Sequence, residues 1–175
     1  MTPEFSRPVR IDTIGEGGRT IAVEADEVER AALAVRFGLL ALDRLAAEIG
    51  LRREGDTIFA QGRIEAAVVQ SCVASGTAVP AKLDEAFALR LLPEGDDAAE
   101  EIELDADEVD TVSYSGGAVD LGEMTAETLA LSLEPFPRAP DADTVLKAAG
   151  VLSEDEAREA QGPFAALKGL KDRLR

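Results

Sequence analysis

The chain has 175 residues and a formal net charge of −17, with 46% hydrophobic residues, a single Cys and no His. Its length fits one domain with room for a mobile insert and a tail, and its apolar fraction supports a core, which excludes wholesale disorder. Cys72 alone and the absence of His exclude an intramolecular disulfide, a Cys-rich zinc site and every His-dependent triad.

In chain order, residues 4–11 and 19–25 read as short strands around the turn Gly15-Glu16-Gly17-Gly18. Asp26 then opens a helix over about 26–37, with Glu29 at the capping-box spacing and Gly38 as its stop. Val28, Ala31, Ala32 and Val35 supply the apolar face expected to meet the core. From Arg44 the apolar period changes to two. Leu45, Ala47, Ile49 and Leu51 form one set; Ile58, Ala60, Ile64, Ala66, Val68 and Cys72 form the next. Ala81, Leu83, Phe87, Leu89 and Leu91 form a third, and Glu54-Gly55-Asp56 and Ser75-Gly76-Thr77 separate the sets. This predicts a three-stranded antiparallel meander over 44–91 with one face on the core. A helix over Leu39–Ile49 competes, because Ala, Leu and Glu favour helices; the alternation persisting through Leu51 favours the strand.

Beyond Pro93 the residues are mainly Gly, Ala and carboxylates, so 93–116 is expected to be a mobile acidic insert. Asp120 and Glu123 repeat the capping-box spacing before a helix over about 121–133, which Pro135 and Pro137 close. Ser153 and Glu156 suggest a short polar helix, and Gly162-Pro163 opens a last amphipathic stretch with Phe164, Leu167, Leu170 and Leu174 on one stripe. The expected class is α+β: an antiparallel meander packed with a few helices, an acidic mobile insert and a basic C-terminal tail. The domain expected is 1–137, followed by a polar linker and tail over 138–175.

Charge is segregated along this framework. No Lys or Arg occurs from Leu91 to Pro137, where there are fourteen carboxylates, whereas Pro163–Arg175 has four basic residues against one acid. The acidic run attracts basic proteins and repels phosphate. Glu94, Asp96, Asp97, Glu100, Glu101, Glu103, Asp105, Asp107, Glu108 and Asp110 are its candidate partner-binding residues. Phe164, Leu167, Lys168, Leu170, Lys171, Arg173 and Arg175 are candidates for a partner or weak RNA contact, with plain docking onto the domain as the competing role. An enzymatic alternative is a metal-assisted hydrolase using pairs such as Asp96 with Asp97 or Asp105 with Asp107. Nothing nearby supplies the apolar pocket that would tune a catalytic carboxyl, so a solvated acidic loop is expected instead. Cys72 reads as a small buried hydrophobe. No catalytic residue, metal or cofactor is expected. The N-terminus lacks a signal-peptide core and no apolar run approaches the length of a membrane span, which predicts a soluble cytoplasmic protein.

Three stretches together resemble one family. They are Val68-Val69-Gln70-Ser71-Cys72-Val73-Ala74-Ser75, then Val119-Asp120-Leu121-Gly122-Glu123-Met124 running to Pro135, then Gly162-Pro163-Phe164-Ala165-Ala166-Leu167-Lys168-Gly169-Leu170-Lys171. In order and spacing they resemble the YceD family, also called DUF177. The resemblance implies a non-enzymatic role in large-subunit ribosomal RNA accumulation and ribosome assembly in bacteria. It implies as partner a basic ribosomal protein or a precursor of the large subunit. Many relatives carry Cys-x-x-Cys at the first stretch and a further Cys after the Pro-rich turn, suggesting metal in those members. Here Ser75 stands at the second position and Pro137-Arg138-Ala139-Pro140 offers no third Cys.

Overall fold

Leu45, Ile49, Leu51, Ile58, Ala60 and Ile64 are each at most 1% exposed, so the period-two alternation marks the core face of two long strands. In the computed structural model, which describes residues 3–94, 110–151 and Ala157, these are β3 (Ala41–Glu54) and β4 (Thr57–Ser71). They pair antiparallel from Ala41↔Val69 to Glu54↔Thr57, with a bulge between Leu42 and Arg44. The bulge explains why Leu42 and Leu45, three residues apart, are both buried. The strand reading of Leu39–Ile49 therefore holds over the helical one.

The meander belongs to a larger sheet of order β2-β3-β4-β5-β6, where β2 is Arg19–Glu24, β5 is Ala78–Pro93 and β6 is Asp110–Tyr114. β6 lies within the stretch read as insert and pairs parallel with β5, Leu89↔Asp110 to Pro93↔Tyr114. A second, two-stranded sheet joins β1 (Pro8–Arg10) to β7 (Ala118–Asp120). The described residues also form the α-helices α1 (Glu27–Arg36), α2 (Leu121–Ser132) and α3 (Ala142–Ala148), and a short 3-10 turn at Ile11–Thr13. The architecture is α+β, as expected. The described residues fall into two compact units, one drawn from Met1–Gln70 and Pro80–Pro135, the other from Ser71–Val79 and Phe136–Arg175.

In the first unit α1 and α2 both pack against β3. Asp26 and Glu29 form the full reciprocal capping box at the start of α1. Its end is a Schellman turn: Gly38 adopts φ +64°, with Gly38 N–H donating to Val35 O and Leu39 N–H to Ala34 O. The helix is rotated relative to the expectation, however. Leu33 and Ala34 are buried, whereas Val28 and Val35 are 77% and 83% exposed. Leu33 and Phe37, one turn apart and larger than Val or Ala, bury more area per residue and decide which face turns inward.

In the second unit, Cys72, Ala139 and Ala142 form a small buried cluster with Ala74 and Val79 against it. Val73 N–H donates to Pro137 O at 2.9 Å and joins the 71–79 hairpin to the Pro-rich segment. The short helix expected near Ser153, and the tail, lie outside the described residues apart from Ala157.

Candidate functional site

The stretch Val119-Asp120-Leu121-Gly122 turns out to be a structural corner. Val119 pairs with Val9, and Leu121 is fully buried. Asp120 caps α2, its Oδ1 accepting from Gly122 N–H at 3.0 Å and Glu123 N–H at 3.2 Å. The same carboxylate accepts from Arg7 N–H at 2.7 Å and from Ser6 Oγ–H at 2.5 Å. Burial alone would raise the Asp120 pKa, but the Ser6, Arg7, Glu123 and Gly122 donors together hold it below the usual carboxylate range. Gly122 has to be Gly, because a Cβ there would sit 2.4 Å from Phe5 O. The expected capping box is only half formed. Glu123 instead bonds both Arg36 nitrogens, at 3.0 and 2.7 Å, and Glu4 shares Arg36 Nη1 at 3.0 Å.

Arg7 completes the corner. Its guanidinium bonds both Glu29 oxygens, at 2.6 and 2.8 Å, and lies 4.7 Å from the Phe5 ring centroid. The N-terminal segment, α1 and α2 are thus tied together by charge-assisted bonds with apolar packing beneath. Two carboxylates of the acidic run, Asp120 and Glu123, are consumed by this work.

Of the residues assigned to partner binding, the structure describes only Glu94 and Asp110, and both are exposed. Glu94 N–H donates to Tyr114 O at 2.8 Å, and Asp110 starts β6 beside Leu89. They therefore flank opposite ends of the β5–β6 pair. Asp96, Asp97, Glu100, Glu101, Glu103, Asp105, Asp107 and Glu108 lie outside the described residues, as do Phe164, Leu167, Lys168, Leu170, Lys171, Arg173 and Arg175.

Two features bear on chemistry. A groove of about 550 Å³ on the outer sheet face is lined by residues that include Glu24, Arg44, Arg63 and Glu65. Its cations are engaged: Arg44 bridges Glu65 at 3.1 Å and Glu24 at 3.7 Å, and Arg63 bonds Asp84. Cys72 is 3% exposed, as its strand register implied, but its sulfur is not an inert hydrophobe. Ala139 N–H donates to Sγ at 3.3 Å. That bond and one from the Ser75 hydroxyl outweigh burial and, with the Ala74 and Ser75 N–H groups, bring the thiol down to about 7. No signal in the residues around Cys72 foretold this, because the main donor is a backbone amide sixty-seven positions away. Among the described residues no three His, Cys, Asp or Glu side chains converge to hold a metal, and no helix is long and apolar enough to cross a membrane.

The sequence that builds this corner and the Cys hairpin matches one family. The model of that family, described as large ribosomal RNA subunit accumulation protein YceD, matches residues 60–171 and so takes in all three stretches noted in the sequence. The chain belongs to the YceD family. No curated protein and no solved structure matches it.

Proposed function

We propose that this protein is a non-enzymatic factor in the accumulation of large-subunit ribosomal RNA, working in the cytoplasm as an assembly partner. The family match over residues 60–171 carries this reading. Charge segregation supports its finer form. The acidic run from Glu94 to Asp110 receives a basic ribosomal protein, and the +3 tail contacts the precursor particle. The four basic residues Lys168, Lys171, Arg173 and Arg175 neutralise at most about four phosphates, so RNA contact by the tail is weak unless its apolar stripe also docks. Depleting the protein from cells tests the role: large-subunit RNA should fall relative to small-subunit RNA, and the wild-type chain should restore it. An unchanged ratio contradicts the reading. Removing residues 163–175 tests the tail, which should release the protein from precursor particles while the melting temperature holds.

A further inference from the structure

We propose that the outward face of α1 is a self-pairing surface, and that its occupant is α1 of a second copy of this chain. That face carries Val28, Ala31, Ala32 and Val35; both valines and Ala31 are exposed and Ala32 is half-buried. The helix sends most of its charge elsewhere. Glu29 is held by Arg7, Arg30 donates to Ala25 O at 2.6 Å, and Arg36 is held by Glu123 and Glu4. In a chain with 30% charged residues, this leaves a helix face made only of Val and Ala.

The pattern identifies the occupant. Val-x-x-Ala-Ala-x-x-Val reads the same in both directions about the point between Ala31 and Ala32. A two-fold axis through that point, perpendicular to the helix, sets two copies antiparallel. Val28 then meets Val35 of the mate at each end, while Ala31 and Ala32 each meet their own equivalents at the centre. This is the self-complementarity that an isologous interface requires. Small central residues let the helix axes approach to the ~8 Å end of the usual range. The antiparallel arrangement also opposes the two helix dipoles favourably. Four small side chains per copy bury well under the ~1,200 Å² of a standard stable interface, so the pair is weak and concentration-dependent. Two copies of charge −17 repel, so added salt strengthens the pair, the opposite of its effect on a basic partner.

Sedimentation velocity on the full chain, from micromolar to millimolar, tests this at low and high salt. The mass should rise from 18.5 kDa towards twice that value, and more readily at high salt. A Val28→Glu/Val35→Glu variant should stay monomeric with unchanged circular dichroism. Leu131→Glu, an equally exposed apolar site on α2, should behave as wild type. Oxidised Ala31→Cys should form a covalent dimer and Leu131→Cys should not. A monomer throughout, or a dimer indifferent to the Val28 and Val35 changes, overturns the proposal. So does a monomer whose binding of a basic ribosomal protein is lost on Val35→Glu, since the face then belongs to that partner.

Discussion

Asp110 and Asp120 belong to one cation-free run, ten residues apart, yet the fold spends only the second. Asp120 gathers four donors from two backbone segments and a serine, while Asp110 stands exposed at the start of an edge strand. Glu123 and Glu94 repeat the contrast, one locked onto Arg36 and the other joined to Tyr114 through its main-chain N–H. Sequence charge alone does not separate these fates. What separates them is the presence of an oriented donor, which a linear count of carboxylates cannot register.

Substitutions at the corner should have the largest effects. Asp120→Ala removes a helix cap and leaves several part-buried donors unpaired, a loss of about 3 kcal/mol in denaturant unfolding. Because its folded pKa is lowered, the stabilisation from Asp120 is present above the ordinary carboxyl range and is lost as pH falls through the folded value. The acid limb of the stability curve should flatten in Asp120→Asn. Gly122→Ala forces a Cβ against Phe5 O and should cost about 2 kcal/mol, read as a lowered urea midpoint. Glu123→Gln loosens a partly exposed bridge and should cost under about 1 kcal/mol. An equal loss at Glu94→Gln would break the distinction between the two groups.

Cys72 sharpens the comparison from the second unit. Its folded pKa, about 7, lies below the ordinary 9.0, so stability from the thiolate is fully present above pH 9 and is lost as pH falls through 7. Wild type should gain stability between pH 7 and 9, and Cys72→Ala should show no such gain. Equal slopes for the two proteins would remove the amide cradle from the account.

Much of the fold was legible where large apolar residues alternate. β3 and β4 were readable from Leu45 to Val68, and both helix caps from Asp26 and Asp120. β6 was not, because Asp-Thr-Val-Ser-Tyr is almost wholly exposed and its parallel pairing with β5 is non-local. β7 depends on β1, more than a hundred residues earlier, and so leaves no local pattern. α3 has no side-chain cap and is only 7 residues long. The facing of α1 was misread because both of its valines and two of its alanines lie on the exposed side, leaving Leu33 and Phe37 as the size cue. For the candidate site, the sequence marked where charge concentrates and already set Asp120 apart as a helix cap; of the candidate carboxylates only Glu94 and Asp110 lie among the described residues.

The most direct test is to replace the acids from Glu94 to Asp110 with their amides and titrate the variant and wild type against basic ribosomal proteins. The account predicts that wild-type binding at 0.1 M salt fades towards 1 M, as the screening length falls from ~10 to ~3 Å. The variant should bind far more weakly at low salt while melting at the same temperature. Undiminished binding by the variant, or a collapse of its melting temperature, would contradict the division of this acidic run into structural and recognition carboxylates.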